Sequence, residues 1–249
     1  MFLKSERFRF FYKETPKCGS TTLIHRILQM HGINPGINPR RFLRKHSGSL
    51  LSHGLSYGSL SDTSDEFYAD LNRNFFSFSV VRNPYDRTWS NYCNKLNRYA
   101  ANYASAAYVA GKCKQLLMGP KAWGRANEAS RCIARYLSYG EFVRGLVRHG
   151  VQFDSHYWTL CDLLLPGRID YDLVLKLETL ENDLASLDQH LKQLGVEYVR
   201  TEWLGRLNQS RSARSEASAD QETQNLVYQI YQNDFEAFGY ASNRVAAAA

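Results

Sequence analysis

Residues 7–32 read RFRFFYKETPKCGSTTLIHRILQMHG, and the order of residue types in this stretch decides the fold. Arg7–Lys13 is a bulky, largely aromatic run that predicts a strand, ended by Thr15-Pro16. After the short turn Gly19-Ser20-Thr21-Thr22, apolar residues recur at Leu23, Ile24, Ile27, Leu28 and Met30, a helical spacing closed by Gly32. A strand, a tight Gly/Ser/Thr turn and a helix leave several backbone N–H groups aimed at one point. The helix dipole strengthens that anion site. Gly19 permits close approach of the backbone, Ser20, Thr21 and Thr22 add hydroxyls, and Lys17 adds a positive charge. The nucleoside-triphosphate pattern GxxxxGK[ST] is absent, because Lys17 precedes the glycine and no lysine follows it.

Outward from this unit, Phe75–Val81 (FFSFSVV) is a near-continuous apolar run, the pattern of a strand buried on both faces of a parallel sheet. Pro84 then stands at a first helical position, and a helix is expected through DRTWSNYCNKLNRY. Asp172–Glu178 (DLVLKLE) predicts a third strand, and Thr179–Leu194 a helix ended by Gly195. Further helices are expected at 127–137, Tyr139–Val147 and Glu222–Phe238. Asn34–Arg44, with two Asn-Pro pairs, reads as turn-like. His46–Glu66, with seven Ser and three Gly in 21 residues, reads as a long loop with one short helix. Alternating strands and helices predict the α/β class, with a P-loop-like central parallel sheet flanked by helices on both faces in one domain over 1–249. Residues 32–66 and 99–125 read as acceptor-side insertions. Ligands in such sheets bind at the carboxyl ends of the strands. Two turns qualify: Pro16–Thr22, and Arg82–Ser90 after the Phe75–Val81 strand.

Composition narrows the classes. The chain has 249 residues, 44% hydrophobic and 22% charged, as in ordinary globular proteins. Its longest uncharged apolar-rich stretch, Tyr99–Gly111, is shorter than the ~20 residues of a membrane span. The first residues, MFLKSERFRFF, carry charge where a secretory signal needs its apolar core. Five scattered cysteines without a CxxC pair are neither a disulfide framework nor a zinc site. A net charge of +7 favours an anionic ligand.

Pro16–Thr22 (PKCGSTT) and Val81–Tyr92 (VRNPYDRTWSNY) together resemble the two nucleotide motifs of the carbohydrate sulfotransferases, with DLVLKLETLENDL at Asp172–Leu184 and VYQIYQNDFEAFGY at Val227–Tyr240 as scaffold patterns in the same order. The resemblance implies 3′-phosphoadenosine 5′-phosphosulfate as donor, adenosine 3′,5′-bisphosphate as product, and no metal. Carried over by position, Lys17, Cys18, Gly19, Ser20, Thr21 and Thr22 bind the 5′-phosphosulfate, and Arg82 with Ser90 the 3′-phosphate. A late loop containing Ser210 and Arg211 is expected to close over the nucleotide. A sulfuryl group carries less negative charge than a γ-phosphoryl, so amides and Lys17 can neutralise it without the magnesium that a kinase needs.

Transfer to a hydroxyl needs a general base. The resemblance points to a histidine between the two motifs, His53 first and then His46; His156 (FDSHYW) is a third candidate, for proton transfer or for orienting substrate. Lys17 is expected to act on the charge that builds on the departing phosphate. Asp86 and Arg87 read as structural charges, His25 and His190 as structural, and Cys18 as a loop filler. Trp123, Tyr157 and Trp158 suit sugar-ring stacking. The leading expectation is therefore a sulfotransferase acting on a carbohydrate or glycolipid, with neither nucleic acid nor an integral membrane segment involved. A kinase-like P-loop protein and a non-enzymatic binder of polyanions through Arg40, Arg41, Arg44 and Lys45 are the alternatives. The expected location is the cytoplasm, or the Golgi lumen if an anchor belongs to a longer chain.

Overall fold

The computed structural model describes residues 1–61, 63–93, 138–152, 154–196 and 221–242. In chain order the elements are β1 (Phe2–Ser5), β2 (Phe10–Lys13), α1 (Ser20–Met30), α2 (Pro39–His46), a 3₁₀ helix (Ser47–His53), β3 (Leu55–Gly58), α3 (Asp65–Asn74), β4 (Phe76–Val81), α4 (Pro84–Tyr92), α5 (Tyr139–His149), α6 (Leu160–Leu164), β5 (Leu173–Lys176), α7 (Leu180–Gln193) and α8 (Gln221–Ala237). They gather into two compact units, Met1–Arg82 with Asp162–Gln209, and Asn83–Cys161 with Ser210–Ala249.

The first unit is the α/β part. Its five strands lie in the order β3-β1-β2-β4-β5. β2, β4 and β5 are parallel, with Lys13 opposite Ser79 and Val81 opposite Lys176. The three strands expected from the sequence are these three. Two more were not expected: β1 pairs antiparallel with β2, and β3 pairs antiparallel with β1. The sheet is thus mixed, with a parallel core extended on one side by a hairpin and an edge strand. Residues 7–9, read as part of the first strand, belong instead to the turn of that hairpin. Leu55–Gly58 sits inside the Ser/Gly-rich segment read as loop, so part of the supposed 32–66 insertion belongs to the sheet. Four residues with one buried leucine carry no periodicity that a sequence reading can detect.

Helices cover both faces of the sheet. On one, Phe10 lies beside His31 at the end of α1, and Phe76 stacks on His190 of α7. On the other, Phe2 and Phe11 pack with Tyr68 and Leu71 of α3 and with Ile169. α1 and α7 are joined by the Arg26–Asp188 ion pair. α2 corrects the turn-like reading of 34–44. Asn38 accepts a hydrogen bond from the Arg41 N–H, and Pro39 occupies the first turn, so the second Asn-Pro pair starts a helix.

The second unit is helical among its described residues. Tyr85 of α4, Phe142, Val143 and Leu146 of α5, and Val227, Tyr231 and Phe235 of α8 form one buried core with Tyr157. Ser138 and Glu141 close a reciprocal capping box at the start of α5.

Candidate active site

The parallel register brings the turns after β2 and β4 out at the same end of the sheet. Side chains then fasten the two strand ends together. The Thr15 hydroxyl donates to the Val80 carbonyl, and the Ser79 hydroxyl donates to the Lys13 carbonyl at 2.8 Å. Between Thr15 and α1 the chain makes a tight loop, with the Cys18 N–H donating to the Thr15 carbonyl at 3.4 Å. Lys17 and Gly19 both adopt left-handed backbone conformations, at φ 70° and 79°. At Gly19 this is doubly restrictive, because a Cβ there would lie 2.8 Å from Leu177 Cδ1.

Gly19 caps α1 without any side-chain hydrogen bond to the helix end. In the first turn the Thr22 and Leu23 N–H groups donate back to the Gly19 carbonyl at 3.0 and 3.4 Å, which leaves the Ser20 and Thr21 amides at the helix start as the groups that can bind an oxyanion. The Arg82 guanidinium reaches the same loop from the end of β4, with Nη1 donating to the Lys17 carbonyl at 3.3 Å. The two motifs read from the sequence therefore meet at Lys17 and Arg82. Thr21 and Thr22 are half-buried at the helix start, whereas Cys18 and Ser20 are buried. The Ser20 hydroxyl donates to the Thr15 carbonyl at 2.6 Å, and Cys18 Sγ lies 3.5 Å from the Pro16 carbonyl. Those two residues serve the loop through backbone amides and internal bonds.

The first of the expected histidine bases, His53, is not brought to this loop. His53 precedes Leu55, which pairs with Ser5, which in turn pairs with Phe10 at the start of β2. The neighbouring Gly54 carbonyl accepts from Glu6 and Arg7 in the β1–β2 turn, and the His53 carbonyl meets His31 Nδ1 at 2.9 Å, past the far end of α1. His53 is therefore at the end of the sheet opposite the Pro16–Thr22 loop. His46 closes α2 with its ring against Phe42. The opposite end of α2 is paired to Glu14, just past β2, through Arg40. One helix of this length separates the two ends by ~10 Å.

In the second unit Ser90 is half-buried on α4. Its neighbours Arg87 and Asn91 both donate to the His156 carbonyl, at 3.2 and 2.7 Å. Arg87 is buried, with its guanidinium 5.9 Å from the centre of the Tyr231 ring. Asp154 Oδ1 accepts the His156 backbone N–H at 3.0 Å and lies 2.8 Å from His156 Nδ1. A carboxylate at Nδ1 favours the tautomer that leaves Nε2 free to accept a proton. Farther along, Tyr231 donates its hydroxyl to the Tyr157 carbonyl at 2.8 Å, and Asp234 accepts the Leu160 and Cys161 N–H groups at 2.7 and 3.0 Å. Burial pushes the Asp234 carboxyl up and the Tyr231 phenol up to about 12. Residues 154–161 are thus held at several points by α4 and α8. Asn91, Tyr231 and Asp234 were not identified from sequence, because nothing in their local pattern marks a partner more than sixty residues away, and neither was Asp154, whose partner His156 is two residues on. Tyr157, considered for sugar stacking, is instead fully buried. Trp158 donates its indole N–H to the Gln152 carbonyl at 3.0 Å. Ser210, Arg211, Trp123 and the 99–125 segment lie outside the described residues.

Residues 1–241 match the family model described as "Sulfotransferase family". The chain belongs to the Sulfotransferase family. This sulfotransferase-family chain is 23% identical to carbohydrate sulfotransferase 10 of Xenopus laevis, across 95% of the chain and 66% of that relative. It is 28% identical to carbohydrate sulfotransferase 11 of Danio rerio, across 68% of the chain and 48% of the relative. Carbohydrate sulfotransferase 10 of Pongo abelii is 22% identical across 94% of the chain and 65% of its own length. The chain thus spans about two-thirds or less of the length of these curated relatives. No solved structure matches it. Among the described residues, no helix of this family member is long and apolar enough to cross a membrane.

Proposed function

We propose that the chain moves a sulfuryl group from 3′-phosphoadenosine 5′-phosphosulfate to a hydroxyl of a carbohydrate or glycolipid. One observation carries the reading: the start of α1, which has no side-chain cap, follows a loop whose Lys17 carbonyl is met by Arg82 from the neighbouring strand. Family membership and the printed names of the relatives support the same chemistry. In this reading the Gly19, Ser20 and Thr21 amides with Lys17 hold the 5′-phosphosulfate, and Arg82 the 3′-phosphate. Ser90, Ser210 and Arg211 enter on the sequence pattern alone.

The acceptor oxygen bonds to sulfur as the bond from sulfur to the bridging phosphate oxygen breaks. The hydroxyl proton passes to a base, and adenosine 3′,5′-bisphosphate leaves. Lys17 stabilises the charge on the leaving phosphate, a contribution that preorganised donors make without reorganisation. For the base, the candidates are His53, His46 and His156, as read from the sequence. Of the three histidines considered, His156 is the one with a carboxylate ordering its ring.

The test pairs calorimetry with labelled-sulfate transfer to a panel of oligosaccharides and glycolipids. Adenosine 3′,5′-bisphosphate is expected to bind the wild type, and Arg82→Ala to weaken it at least ten-fold, since charge-assisted hydrogen bonds contribute about 1.5–3 kcal/mol. His156→Ala is expected to keep nucleotide binding and lose 10²–10⁴-fold in transfer rate. Absence of nucleotide binding by the wild type, or binding indifferent to Arg82, overturns the reading.

A further inference from the structure

The five exposed large hydrophobic side chains among the described residues are not equally bare. Ile37 is 101% exposed and Leu51 69%, against 44% or less for the other three. Single exposed aliphatics are ordinary on soluble proteins. What sets these two apart is their setting. Ile37 immediately precedes Asn38, the cap of α2, and Leu51 lies in the 3₁₀ helix that follows α2 directly and packs beside it.

α2 itself reads PRRFLRKH, with four Arg or Lys and no acid in eight residues. Arg40 is neutralised by Glu14. Arg41, Arg44 and Lys45 are exposed and have no carboxylate within ion-pair distance among the described residues. The uncompensated cations and the barest aliphatic side chains therefore occupy one continuous stretch, residues 37–51.

We propose that this stretch is a docking face for an anionic phospholipid surface. The cations suit lipid headgroups, and Ile37 and Leu51 suit insertion at the boundary between headgroups and acyl chains. A soluble anionic glycan would use the same cations, yet it offers nothing to two bare aliphatic side chains; the membrane accounts for both features. The Arg40–Glu14 pair joins α2 to the residue just before Thr15, where the Pro16–Thr22 loop begins. For a glycolipid acceptor, which rests on the sulfotransferase reading above, docking would hold the loop-bearing unit at the surface that displays the acceptor.

The full chain is tested by co-sedimentation with phosphatidylcholine vesicles, with and without phosphatidylserine. Binding is expected to require phosphatidylserine and to weaken as salt rises. Each cation near such a surface contributes roughly five-fold in partitioning, so R41Q/R44Q/K45Q is expected to lower it on the order of a hundred-fold. Ile37→Ser with Leu51→Ser is expected to lower it at least ten-fold further. Ile37→Trp is expected to show a fluorescence blue shift on these vesicles, a direct sign of insertion. Failure to bind phosphatidylserine vesicles, or equal binding to neutral ones, overturns the proposal. So does binding that depends on the three cations but not on Ile37 and Leu51, the outcome expected of a site for a soluble polyanion. Calorimetry with adenosine 3′,5′-bisphosphate on the same proteins keeps the two readings apart. Vesicle binding without nucleotide binding sinks the sulfotransferase reading alone, and the reverse sinks the lipid face alone.

Discussion

Gly19 concentrates what single residues do here. Its left-handed backbone strains any other residue, and a Cβ there would press on Leu177 Cδ1 at 2.8 Å. Gly19→Ala is expected to cost about 1–2 kcal/mol in urea unfolding, because an L-residue pays roughly that for the left-handed region. The same substitution is expected to weaken adenosine 3′,5′-bisphosphate binding by calorimetry, since the first amides of α1 are aimed by that backbone. An unchanged midpoint together with unchanged binding would show that the loop tolerates a side chain. Gly19, Lys17 and Arg82 were legible as residue types in sequence. The service of Ser20 and Cys18 was not: their side chains turn inward to the Thr15 and Pro16 carbonyls, and the Cys18 amide does so too, so Ser20 keeps its amide as a means of contact while Cys18 serves the loop alone. His156 shows the opposite case, a residue picked out by type whose orienting partner, Asp154, sits only two positions away and was passed over.

At the scale of elements, α1 links the two ends of the sheet. It begins at the candidate site and ends at His31, which is buried, meets the His53 carbonyl, and packs edge-on against Phe8 and Phe10. Burial pushes the His31 imidazole below its ordinary range. The unfolded chain therefore binds a proton that the folded one resists. Stability from this group is present above about pH 6.5 and declines as pH falls from there toward the lowered folded value. Urea midpoints measured across that range are expected to fall in the wild type and to fall less steeply in His31→Phe. Identical slopes would remove His31 as the cause. The long elements were legible from sequence: α1, β4 and α7 each follow a clear apolar period. β1 and β3 were missed because four-residue strands owe their existence to pairing with distant chain. α2 was missed because an Asn-Pro pair marks a turn and a capped helix start equally well.

For the whole molecule, nucleotide binding is linked to stability. At a hundred times its Kd, adenosine 3′,5′-bisphosphate is expected to stabilise the unit that carries the loop by about 2.7 kcal/mol, read as slowed amide exchange in α1 and β4. With a net charge of +7, affinity for this anion is expected to fall as salt rises. Exchange rates indifferent to the nucleotide would leave the loop without its assigned ligand. By itself, the chain's order of apolar and Gly/Ser/Thr residues determined the α/β class and the parallel core, which follow from local periodicity. It also marked the turns after β2 and β4; of their helix starts, that of α4 is capped by the Asn83 side chain, and that of α1 has no side-chain cap. Only the tertiary structure decided that Arg82 meets Lys17, that His53 lies at the far end of the sheet, and that Asp234 and Arg87 hold the 154–161 segment. Such contacts join residues from about twenty to about seventy positions apart, and only chain folding brings them within hydrogen-bond distance.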